Sequence, residues 1–154
     1  MSRQSELVAP IQDAVFAALR ARAALHDVTI LKREPKQTSS DIEAAIAQLK
    51  LYAFVFPALL LRPNPNQPGP YFEKIQLRVR VAENPVLNDT TLDAYQLVEL
   101  VHWVLNGLPF TGLTGVNALI PSEPATEPVD DPDLVAFDIL YETSAGLTPR
   151  PDSP

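Results

Sequence analysis

A strand that turns through a proline into a helix constrains this chain more than any other stretch: Tyr71 to Leu108, YFEKIQLRVRVAENPVLNDTTLDAYQLVELVHWVLNGL. In its first part Ile75, Leu77, Val79 and Val81 alternate with Lys74, Gln76, Arg78 and Arg80, the two-residue period of a β-strand. One face of that strand seeks a core, and the other carries cations and an amide. The alternation stops at Glu83-Asn84-Pro85, where proline removes a backbone donor and biases Asn84 away from helical geometry. Asn88, Asp89, Thr90 and Thr91 then offer candidate N-caps, and Asp93 suits the first turn of a helix dipole. Ala94, Leu97, Val98, Val101, Val104 and Leu105 recur at helical spacings, and Asn106-Gly107 is a stop signal. A strand, an exposed turn and an amphipathic helix are therefore expected to form one packed corner.

The chain has 154 residues, enough for one domain with a continuous core, and 46% of them are hydrophobic. It has no cysteine, which excludes disulfides and thiolate metal sites. Its net charge of -7 argues against a phosphate-binding surface, because nucleic-acid affinity rests on clustered Lys and Arg. Most of that charge sits between Pro121 and Asp133, in Glu123, Glu127, Asp130, Asp131 and Asp133, with no base among them. The N-terminus does not read as a secretion signal. The longest apolar run, Tyr52 to Leu61, is far short of the roughly 20 residues of a membrane span.

Taken in order, Glu6 to Ala24 reads as a first helix with Leu7, Ile11, Val15 and Leu19 on one side and Gln12 off that stripe. Asp27 to Arg33 reads as a short strand, and Ser39, Ser40 or Asp41 cap a helix from Ile42 to Leu49. Leu51 to Leu61 suggests a strand covered on both faces, with Pro57 marking a bulge or interruption. Arg62 to Pro70, RPNPNQPGP, is a proline-rich connector closing a long hairpin with Tyr71 to Glu83. Val116 to Ile120 reads as a short strand, Pro121 to Asp133 as a solvated acidic loop, and Leu134 to Thr143 as the last strand. The expected architecture is one α+β domain over residues 1–143, a two-layer sandwich of mainly antiparallel or mixed sheet with helices on one face. Residues 144–154 are expected to be a flexible tail tied down only by a partner.

Catalytic grammar is missing from this sequence. It contains no P-loop, dinucleotide glycine pattern or nucleophile elbow. Its two histidines, His26 and His102, belong to no metal motif, so no metal, cofactor or catalytic residue is assigned. Glu99 and His102 share a helical face without further ligands, and His102 with Trp103 is expected to border the buried stripe. Asn88-Asp89-Thr90 matches a glycosylation sequon, but a helix cap explains it as well. Lys74, Arg78 and Arg80, extended by Lys32 and Arg33, suggest a basic strand face that is solvated, lumen-facing or an inter-subunit contact. A good core without an active site, with flexible loops between strands, suits a chain that contacts other proteins.

At Val79 to Asn88, VRVAENPVLN, the sequence resembles the tail terminator proteins of tailed bacteriophages, including the Mu-like group. There a strand rich in Val and Arg ends in Glu-Asn-Pro, an Asn follows, and a helix begins soon after, as with Glu83, Asn84, Pro85 and Asn88 here. The similarity of layout runs from Leu7 to Thr143. Asp89 departs from it, standing where a base is more usual, as does the acidic segment. The resemblance implies a virion structural protein forming a hexameric ring on the head-proximal end of the tail tube. Such a ring ends tube growth and faces the head connector, so tube protein and connector are the implied partners. DNA would pass through the lumen without specific binding, and no membrane is involved. Another neck component, a head-tail stopper or connector, is the neighbouring reading. A small enzyme or binding domain using scattered residues such as Tyr95, Glu99 and His102 is the reading from a different class.

Overall fold

The computed structural model describes residues 3–34, 36–61 and 72–146. Six strands form one mixed sheet: β1 (Thr29–Lys32), β2 (Leu51–Val55), β3 (Leu59–Leu61), β4 (Phe72–Glu83), β5 (Ile120–Val129) and β6 (Val135–Gly146). Their spatial order is β1-β2-β4-β6-β5, and β3 pairs with β4 beyond the end of β2. β1 runs parallel to β2, and the other pairings are antiparallel. The strand expected to organise the chain is the central one: β4 pairs with β6 along its whole length, from Phe72↔Gly146 to Glu83↔Val135.

Three α-helices flank this sheet, α1 (Arg3–Arg20), α2 (Ser39–Ile46) and α3 (Ala94–Leu105). The apolar faces of α1 and α3 cover one side. Leu7, Ile11, Val15 and Leu19 of α1 and Leu97, Val101 and Leu105 of α3 are buried against Ile75, Leu77, Val79 and Val81. This is the expected α+β sandwich. The short helix α2 lies on the opposite side, where Ile42 and Ile46 pack near Tyr52 and Phe54 over one end of the sheet.

Several boundaries differ from the sequence expectation for physical reasons. α1 runs through Pro10, held by the buried stripe on either side of it. Gln12 is buried: its amide donates to the carbonyls of Arg33 (3.0 Å) and Val55 (3.1 Å), pinning α1 to the ends of β1 and β2. α2 starts earlier than expected, because Thr38 and Asp41 form a reciprocal capping box. The 51–61 stretch splits at Phe56 to Ala58, where Pro57 interrupts the ladder.

The largest correction concerns the acidic segment, whose residues 121–129 are strand and not loop, while residues 130–133, with Asp130, Asp131 and Asp133, form the connection to β6. β5 carries Pro121, Pro124 and Pro128 at the outer edge of the sheet, with a cis Glu123-Pro124 peptide and a shift of register between Pro121 and Thr126. A proline on an edge strand loses no ladder bond if its missing donor faces outward. The expected strand at Val116 to Ile120 is reduced to one bridge, Val116↔Ala145, before β5 begins. β6 in turn continues through Gly146, past the expected limit at Thr143, with Ala145 fully buried. The connector at 62–70 and the segment 147–154 lie outside the described residues.

Candidate functional site

The turn between β4 and α3 is built by four side chains. The carbonyl oxygen of the Asn84 side chain accepts from the backbone amides of Val86 (3.1 Å) and Leu87 (3.3 Å), an Asx turn that Pro85 favours by its fixed φ. Asn88 donates to Glu83 and to the Leu92 carbonyl, both at 2.7 Å, and accepts from the Thr90 amide (3.0 Å) and hydroxyl (2.6 Å). The second Glu83 oxygen accepts from the amide of Ala94, the first residue of α3 (3.2 Å). One carboxylate thus joins the end of the strand, the turn and the positive end of the helix.

The N-cap of α3 is Asp93, in a capping box with Gln96, and not one of the residues from Asn88 to Thr91. A Lys50–Asp89 ion pair (2.7 Å) ties the turn to the start of β2, and its hydrogen bond lowers the Asp89 pKa. With the side chains of Glu83, Asn84 and Asn88 engaged within it, the turn also displays apolar groups. Val86 is 91% exposed, and Leu87 is also exposed.

The three cations of β4 lie on the sheet face away from α1 and α3, and none stands alone. Lys74 pairs with Glu142 (3.1 Å) and Arg78 with Asp138 (3.8 Å), while Arg80 makes a bidentate contact with Asp138 (2.8 and 3.1 Å). β6 lays two carboxylates beside these three cations, so most of the expected basic charge is compensated within the chain. Arg78 and Arg80 also stack over Phe56. Lys32 does not extend this face: it bonds Asp13 of α1 (2.7 Å) on the opposite side, which raises its pKa. One cross-strand row on the open face runs from exposed Leu59 through Gln76 and Glu142 to exposed Ile120.

At the far end of that face, between α2 and the β5–β6 hairpin, lies a cavity of about 310 Å³. Tyr52, Phe54 and Phe56 give it an aromatic floor, and Glu43 and Asp131 stand at its rim. Tyr52 is 4% exposed, and burial raises its pKa, with Arg80 opposing and Asp131 and Asp138 adding to the effect. Among the described residues its hydroxyl has no hydrogen-bond partner. No sequence pattern marks this pocket, because α2 and β2 lie far along the chain from the hairpin that completes it.

The residues of the ligand-site reading are not brought into a cavity. Tyr95 is exposed against Phe137, Glu99 is exposed, and His102 stacks on Tyr141 with its Nδ1 3.2 Å from the phenol oxygen. Trp103, expected at the border of the core, is 82% exposed on α3. Among the described residues no group of three His, Asp or Glu side chains could hold a metal ion. No helix among them is long and apolar enough to cross a membrane.

Fold and surface together define an α+β domain whose shaped features include displayed side chains, a largely compensated sheet face and a small pocket under α2. No protein-family model and no curated protein sequence matches the chain. Its fold is similar to that of a chain from the virion of a native gene transfer agent (GTA) particle, with a TM-score of 0.62 and 16% sequence identity. The match covers 92% of this chain and 98% of that one, so the two folds correspond almost end to end.

Proposed function

We propose that this protein is a structural component of a virion, a tail terminator that assembles as a hexameric ring on the head-proximal end of a tail tube. The observation that carries the reading is the end-to-end fold likeness to a chain of the GTA virion. The motif Glu83, Asn84, Pro85 and Asn88 adds to it, since those residues build a rigid turn that offers Val86 and Leu87 to a partner. A ring that matches the last tube ring on one side and differs on the other ends polymerisation by symmetry alone. Its partners are further copies of itself, the tube protein and the head connector. No catalytic step, cofactor or metal enters this role.

The open sheet face with Lys74, Arg78 and Arg80 is proposed to face a neighbouring subunit or the lumen. Because Asp138 and Glu142 offset two of these three positive charges, the face has little charge left for phosphates. DNA would slide past it without sticking. The fold likeness suits another neck component equally well, and a head-tail stopper or connector is the second reading.

Light scattering across concentration, with electron-microscope class averages of the same sample, tests the ring. A ring with six-fold symmetry that stops growth of purified tail tubes is the expected result. Free subunits that neither bind tube ends nor alter tube length would overturn the terminator reading. Binding to the head connector alone would move the protein to the neck.

A further inference from the structure

We propose that the pocket between α2 and the β5–β6 hairpin docks the Arg150–Pro154 stretch of a second copy of this chain. The inference deepens the ring reading above and rests on it only for the closure of the contact into a ring. Three properties of the pocket define its occupant. Its floor is aromatic, from Tyr52, Phe54 and Phe56, the kind of surface on which proline rings in an extended polyproline helix pack. Its rim is acidic: Arg80 is already engaged by Asp138, which leaves Glu43 and Asp131, with Asp130 and Asp133 close by in sequence. Tyr52, which lines it, is 4% exposed and its hydroxyl has no partner among the described residues, whereas buried polar groups are nearly always paired. An occupant that answers all three is rich in proline, carries a cation and offers a backbone carbonyl.

The chain supplies such a stretch itself. Residues 147–154 read LTPRPDSP, in which Arg150 is followed by Pro151, Asp152, Ser153 and Pro154, a cation preceding a P-x-x-P spacing. Proline-rich segments have few backbone donors to satisfy and lose little entropy when they dock extended.

Reach decides that the partner is another copy. β6 starts at the pocket, where Ala136 lines the floor, and runs ten residues to Gly146, about 34 Å away at strand spacing. Beyond Gly146 the chain extends at most about 14 Å to Arg150 and about 25 Å to Ser153. Arg150 therefore cannot reach the acidic rim of its own pocket, so the stretch cannot dock there within the same chain. The pocket and the end of β6 at Gly146 thus lie at opposite ends of the sheet, so a contact made through the residues that follow is head-to-tail, and head-to-tail contacts close into rings or run on as filaments.

The test uses the full chain, whose lack of cysteine makes cross-linking unambiguous. Ser39 lines the pocket, so the double variant Ser39→Cys with Ser153→Cys should give a ladder of covalent oligomers on mild oxidation, while each single variant stops at a dimer. In parallel, a labelled peptide GLTPRPDSP added to the full chain should bind. Arg150→Ala in the peptide, or Asp131→Asn or Tyr52→Phe in the protein, should each weaken that binding by about tenfold. Absence of either the ladder or the peptide binding overturns the proposal. So does binding that is indifferent to both pocket variants, because it locates the segment elsewhere. Class averages of the same samples report on the ring separately. Rings without the ladder remove this contact and keep the ring, whereas a ladder in a sample without rings keeps the contact and removes the ring.

Discussion

Glu83 and Asn88 show how a short motif acts through hydrogen bonds alone. Asn88 uses both amide donors and its carbonyl oxygen, so Asn88→Ala leaves the Thr90 amide and one Glu83 oxygen without that partner, and the Leu92 carbonyl with only the longer bond from the Thr90 hydroxyl (3.3 Å). The expected loss is about 1–3 kcal/mol in urea unfolding, the usual cost of unpaired, partly buried polar groups. Asp89→Ala, next in sequence, removes only an ion pair between exposed side chains and should cost far less. Equal losses for the two would sink this account of the turn. The motif was legible in the sequence, but the roles within it were not. Asn88 looked like a helix cap because its residue type suits one. The cap is Asp93, because α3 begins only at Ala94, beyond all four expected cap positions, and Asn88 serves the intervening turn instead.

At the scale of elements, β5 explains where sequence reasoning failed. Prolines in a stretch rich in acids suggest a loop when the position of the stretch in the sheet is unknown. Here Thr126 to Val129 pair residue by residue with Ile139 to Ala136, and in an antiparallel ladder alternate residues turn their amides toward and away from the partner. Pro128 has no amide to give, so it occupies an outward position, and the amide of Thr126 faces outward with it. The proline therefore blunts the free edge against pairing with another chain. Pro128→Val would restore an outward donor beside an exposed ladder. The expected outcome is self-association at concentrations where the parent chain is unaggregated, read by light scattering. Unchanged scattering would mean that another feature protects this edge. By contrast, β4 and α3 were legible because their periodicities of two and of three to four residues persist over 12 residues each, and one buried face enforces each pattern. The pocket under α2 was illegible for the opposite reason, since it depends on register between strands far apart in sequence.

On the scale of the whole molecule, burial of two phenols sets an alkaline limit to stability. Tyr141 is fully buried and Tyr52 nearly so, and desolvation raises both pKa values. In the unfolded chain these phenols ionise near pH 10, whereas in the fold they stay neutral to higher pH. Their contribution is thus fully present below about pH 10 and is lost as pH rises toward the folded values, because there the folded state holds the extra protons. Urea midpoints should fall above about pH 10, and Tyr52→Phe should make the fall shallower. A midpoint that holds steady or rises through that range would refute the assignment.

The displayed side chains make the complementary case, since they should matter to assembly without mattering to the fold. Val86 gains nothing from burial within the subunit, and its side chain makes no demand on the Asx turn beneath it, whose bonds are all to Asn84. Val86→Asp should therefore change the unfolding free energy by no more than ordinary surface substitutions do, about 0.5 kcal/mol. If the turn contacts tube or neighbouring subunit, the same variant places a carboxylate in a desolvated interface, which is strongly unfavourable. The expected result is an intact monomer that no longer caps tubes or forms rings. An intact monomer that still caps them would move the contact away from this turn, toward exposed Trp103 on α3 or the Leu59 and Ile120 margins of the open sheet face.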